Sequence, residues 1–193
     1  MTDRRPSLDR RGMSIVEMMI ALSMFGVIMG VVFTFMTNSR DSYTSTSKRA
    51  EYQQSVRAVI SLLTREIRSA GCDATNAGLE RFGVADHAQI RVRMDLDGNG
   101  DTLGTNPDED ISWAYDSGTG ELRRDAGTGA ITVLRGVSDV NFRYFQADGA
   151  ELLGTPLSAM DRALVRFVDV EIVGATATGE EISYQTRVLV RNG

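Results

Sequence analysis

The feature that most constrains this chain is an apolar run, MSIVEMMIALSMFGVIMGVVFTFM, from Met13 to Met36, broken by Ser14, Glu17, Ser23 and Thr34. As a helix at ~1.5 Å per residue it reaches ~36 Å, enough to span a bilayer with some tilt. A secretory signal has an apolar region of only ~7 to 15 residues and an Ala-x-Ala-like cut site. Here the run is longer, and Thr37, Asn38 and Ser39 offer no such site. The segment is therefore expected to stay in the mature protein.

Arg4, Arg5, Arg10 and Arg11 precede the run, against Asp3 and Asp9. Positive charge is retained on the cytoplasmic side, so residues beyond Met36 are expected outside, with a single pass across the membrane. Glu17 is the anomaly, because an ionisable group in a membrane helix is costly and marks a functional position by default. Two readings of it stand. Either Glu17 reaches the interface one turn from the helix start and gains from the helix dipole, or a partner's charge compensates it.

The order of residues around Glu17 favours the second. Arg11-Gly12 followed by Met13-Ser14-Ile15-Val16-Glu17-Met18-Met19-Ile20-Ala21-Leu22 is similar to the class III prepilin signal of type IV pilins and pseudopilins. In that family a membrane aspartyl protease, the prepilin peptidase, cuts after the glycine and methylates the new N-terminal amine. The resemblance implies cleavage between Gly12 and Met13, N-methylation of Met13, and pairing of Glu17 with the N-terminal amine of a neighbouring subunit. An ammonium and a carboxylate are each costly alone in hydrocarbon, and pairing relieves both. Met13 stands where phenylalanine is commonest, and Thr34 where many major pilins have a helix-kinking proline. Gly26 and Gly30 either loosen the helix or let two membrane helices approach closely.

The resemblance implies an organisation of leader 1–12, transmembrane and assembly helix 13–36, exported amphipathic helix 37–71 and β-rich head 72–193. From Thr37 to Ala70 no proline or glycine interrupts the chain. Val56, Ile60, Leu63 and Ile67 recur at helical spacing, with Arg57, Arg65, Glu66 and Arg68 off that stripe. Gly71 supplies a stop, and 73–78 reads as loop. The run from Leu63 to Cys72 also resembles the helix end of PilW-type minor pilins.

Short alternating runs follow: Ile90 to Met94, Ile111 to Tyr115, Glu121 to Arg124, Ile131 to Leu134, Val140 to Phe145, Leu164 to Val173 and Ile182 to Val190. Glycine-rich turns at 116–120, 126–129 and 174–180 connect them, and Phe167-Val168 breaks an alternation in the manner of a bulge. The expected class is α+β and pilin-like, a long N-terminal helix packed on one antiparallel sheet.

Asp95-Leu96-Asp97-Gly98-Asn99-Gly100-Asp101 matches the first half of an EF-hand loop, with oxygen ligands at alternate positions and glycine at the sixth. The twelfth position is Asn106, not the required glutamate, which excludes a true EF-hand. Two readings stand: a looser calcium loop through Asp95, Asp97, Asn99 and Asp101, closed by Asp108, Glu109, Asp110 or backbone carbonyls, or a solvated Asp/Gly-rich connection. Carboxylates crowded into one loop repel unless a cation sits among them.

Catalytic arrangements are missing. His87 and Cys72 are the only residues of their kinds, and neither a Gly-x-Ser-x-Gly frame nor a phosphate-cradling glycine motif is present. Formal net charge is -5 on 193 residues, and the basic leader leaves the body more acidic still, so no nucleic-acid partner is expected.

The expected function is a minor type IV pilin that assembles into or primes a pilus for adhesion or motility, without catalysis. Its partners are other pilins or pseudopilins through the N-terminal helix, the prepilin peptidase, and the inner membrane before assembly, with the head in the periplasm. The alternatives are a minor pseudopilin of a type II secretion system and a membrane-anchored periplasmic enzyme or binding module.

Overall fold

The computed structural model describes residues 12, 14–102, 108–175 and 181–191. The chain divides into two compact units, residues 1–47 and 48–193. One helix, α1 (Ile15–Ser69), begins in the first and ends in the second. Its apolar residues from Ile15 to Met36 are half or more exposed. By length and composition this part can cross a membrane. Its hydroxyls are satisfied within the helix: Ser23 donates to the Ile20 carbonyl at 2.8 Å and Thr34 to that of Gly30 at 2.9 Å. No such hydroxyl then faces hydrocarbon unpaired.

In the second unit α1 buries Val56, Val59, Leu63 and Ile67, and Ile60 is only partly buried. Three of the four expected stripe positions are thus buried, with Val59 added beside the half-buried Ile60. Glu66, expected off the stripe, is also buried. Its carboxylate accepts from Trp113 Nε1 at 2.6 Å and from Arg124 Nε and Nη2 at 3.0 and 2.8 Å. The stripe reading missed it because polarity marks a residue as outward only when no partner waits inside. α1 stops where Gly71 adopts φ 72° and its N–H turns to the Arg93 carbonyl at 2.8 Å.

Eight strands follow among the described residues. β1 (Phe82–Ala85), β2 (Gln89–Arg93), β3 (Asp110–Asp116), β4 (Glu121–Asp125) and β5 (Ile131–Arg135) form a five-stranded antiparallel meander in sequence order. Gly136, at φ 71°, ends it. β6 (Val137–Phe145), β7 (Phe167–Ala175) and β8 (Glu181–Leu189) make a second, three-stranded antiparallel sheet. The fold is α+β and pilin-like as expected, but with two sheets rather than one. Tyr115, at the end of β3, donates its hydroxyl to the Ser138 carbonyl at 2.7 Å, and Tyr144 on β6 donates to that of Asp86 at 2.8 Å. These bonds tie the sheets together. Burial pushes the Tyr144 phenol well above its ordinary pKa, with the charge of Asp86 adding to the effect.

Several local readings are corrected. Leu164 is not in a strand, because Ser158 caps a short helix, α2 (Ala159–Leu164), its Oγ accepting from the Asp161 N–H at 3.2 Å. No bulge occurs at Phe167-Val168. β7 begins at Phe167, and its pairing with β8 runs unbroken from Phe167↔Leu189 to Ala175↔Glu181. Phe167 shares the face of Asp169, which is buried because Arg187 grips it at 2.5 and 2.7 Å. Gly174, expected to open a turn, lies inside β7 opposite Val137 and Ile182.

The reason for a glycine there is space. The Tyr52 phenol sits where a Cβ on Gly174 would be, and its hydroxyl donates to the Gly136 carbonyl at 3.1 Å. Of the 174–180 turn, residues 176–180 lie outside the described residues.

Candidate functional site

Two places gather the residues singled out by chemistry. At the N-terminus Gly12 is exposed and non-helical, while Met13 and the rest of the leader lie outside the described residues. Ser14 precedes the helix, its carbonyl accepting the Met18 N–H at 3.1 Å. Glu17 is the third helical residue and is exposed, with Oε2 3.5 Å from the Ser14 N–H. This is one half of a capping box, the third helical residue's carboxylate reaching back to the N–H before the helix, at the positive dipole end of the first turn. At 3.5 Å that hydrogen bond is at the limit of what counts as one. Glu17 therefore keeps most of its acceptor capacity.

The second place is the connection from β2 to β3. Asp95 and Glu109 are buried, at 1 % and 0 % exposure, and Asp97 is exposed. One carboxylate oxygen from each of the three lies within 4.8 Å of the others. Asp95 accepts from the Gly98 N–H at 2.6 Å and the Gly100 N–H at 3.1 Å, a turn that puts both glycines at positive φ. Asn99 bridges Asp97, through its side-chain amide at 3.3 Å, and the Asp101 N–H, through its oxygen at 2.8 Å. Asp101 is exposed and outside the three-carboxylate group.

The three acids that could close the loop go different ways. Asp110 is gripped by Arg91 at 2.6 and 2.7 Å, with Arg93 at 3.6 Å. Asp108 is exposed, 3.6 Å from Arg124. Only Glu109 turns into the loop. Asn106 lies outside the described residues.

Next to this loop the Asp73 carboxylate is held below its ordinary pKa, first by the Ala77 N–H and then by those of Leu79 and Gly78 and the Thr75 hydroxyl. His87 is exposed, with Nδ1 2.7 Å from Asp86 Oδ1, and Cys72 is a partly buried free thiol. The two belong to different segments, and no Cys–His contact is found among the described residues.

Residues 8–33 match the family model of the prokaryotic N-terminal methylation motif. The chain carries a prepilin-type N-terminus. The matched stretch takes in Gly12, Met13 and Glu17 and runs through the apolar part of α1 to Phe33; the head lies outside it. No curated protein matches the chain. A prepilin-type motif at the start of a long, exposed apolar helix supports a pilin or pseudopilin type of protein, anchored in a membrane and processed by a prepilin peptidase. Sequence reasoning reached this motif because its signal is local. It missed the choice of Glu109 over its neighbours, which depends on arginines from β2.

Proposed function

We propose that the chain is the precursor of a minor type IV pilin of the PilW type, an exported filament subunit and not an enzyme. The prepilin peptidase cuts between Gly12 and Met13, methylates Met13, and releases a subunit that leaves the inner membrane for the filament. The observation that carries this reading is the methylation motif together with Glu17 in the first turn of an exposed apolar helix. In a packed filament that helix is covered by its neighbours, and a lone carboxylate there is costly. A methylammonium on the next subunit's Met13 offsets that cost. The nearly free carboxylate of Glu17, held by Ser14 at only 3.5 Å, is available to accept it.

The test is Glu17→Gln in the native host. Insertion and cleavage are expected to be unchanged. The amount recovered in sheared filaments, read by immunoblot against the membrane fraction, is expected to fall about tenfold, equivalent to about 1.4 kcal/mol of lost pairing. Incorporation at the wild-type level would refute the pairing. The minor pseudopilin of a type II secretion system shares the same motif, and the proteins that co-purify with the chain separate the two machines.

A further inference from the structure

We propose that Asp95, Asp97 and Glu109 form a calcium site that clamps the β2–β3 connection against the segment following α1. The deciding group is Glu109. Its Oε1 accepts from the Leu96 N–H at 2.8 Å and the Asp97 N–H at 3.0 Å, while Oε2 is buried with no hydrogen-bond partner. A buried, unpaired carboxylate oxygen is one of the costliest things a fold can hold.

Charge points the same way. On either side of Glu109, Asp108 has Arg124 nearby and Asp110 has Arg91 and Arg93. Among the described residues no Arg, Lys or His forms an ion pair with Asp95, Asp97 or Glu109. Three carboxylates in mutual reach and two of them buried are left for a cation to neutralise.

The donors are all hard oxygens, which selects calcium or magnesium over the softer metals that prefer nitrogen and sulfur. A loop site of three carboxylates completed by water suits calcium, whose oxygen shell is flexible, better than magnesium, which demands a near-ideal octahedron. Exposed Asp97 gives it a route in, and water fills the remaining coordination.

The clamp follows from what Asp95 touches. Its N–H donates to the Cys72 carbonyl at 2.6 Å, and its Oδ2 lies 3.4 Å from the Thr75 hydroxyl. Cation binding at Asp95 therefore fixes both ends of the contact: the loop leaving β2 and the chain just past α1.

The test uses the full chain in detergent micelles, stripped with chelator, and reads melting temperature against added calcium or magnesium. Calcium at a hundredfold over its dissociation constant is expected to raise the melting temperature by on the order of 5–10 °C. Magnesium at equal concentration is expected to do much less. Glu109→Gln should lose the calcium shift while melting no lower than wild type without metal, since it removes the buried charge. Asp97→Asn, at an exposed position, should lose most of the shift and serves if Glu109→Gln does not fold. No calcium shift in wild type, an equal shift with magnesium, or an undiminished shift in the folded variants would overturn the assignment.

Discussion

Glu66 carries more of the fold than any other charged residue of α1 whose surroundings are described. It receives the indole N–H of Trp113, a ring with no exposed surface, and the guanidinium of Arg124 on the next strand. Glu66→Ala would leave the buried Trp113 N–H unpaired and take from the partly buried Arg124 its nearest carboxylate, at a cost of about 1–3 kcal/mol. Chemical denaturation of the full chain should show that loss. Glu66→Gln, which can still accept from Trp113, should lose clearly less. Equal stability of all three would mean that water reaches the pair. The interaction was invisible in the sequence for a plain reason: the partners lie 47 and 58 residues away, and nothing local marks a helix glutamate as inward. Gly12 and Glu17 could be singled out because the methylation motif that contains them is a short linear pattern. Glu109 lay between, since its loop was legible but its selection over Asp108 and Asp110 needed the arginines of β2 and β4 in place.

Among the elements, α1 and most strands could be read from periodicity, because each pattern reports its own burial. β2, β3, β4 and β5 coincide with expected runs to within a residue or so. β1 escaped because Phe82-Gly83-Val84-Ala85 is short and carries a glycine within it. α2 escaped although Ser158 and Asp161 form a capping signal, because Leu164 and Val165 adjoin an apolar strand and drew the reading toward β. Gly174 shows the same limit. As a sequence it is a turn residue, and as a structure it is the floor beneath Tyr52. Gly174→Ala should cost about 1–3 kcal/mol by overpacking, and the cost should largely vanish in a Tyr52→Ala background. Melts of the single and double variants would check this. An additive cycle would mean that the ring and the glycine do not touch in solution.

At the scale of the whole molecule, two kinds of material are joined in one chain. None of the residues in the most apolar window of α1 is buried, so in the proposed function that surface is covered first by lipid and then by neighbouring helices. Residues 48–193 hold their own core, built from the buried face of α1 and the inner residues of both sheets. The split of the strands into two sheets at Gly136 could not be read from the sequence, since a meander and two shorter meanders present the same alternation. The class of the protein rests on the first material and not on the second, because the matched motif ends at residue 33. Intact-mass and N-terminal peptide mass spectrometry of the protein recovered from its native host tests that class most directly. A mature chain that begins at Met13 with one methyl group on its amine is predicted. A chain that still begins at Met1, or one cut beyond Met36, would contradict it.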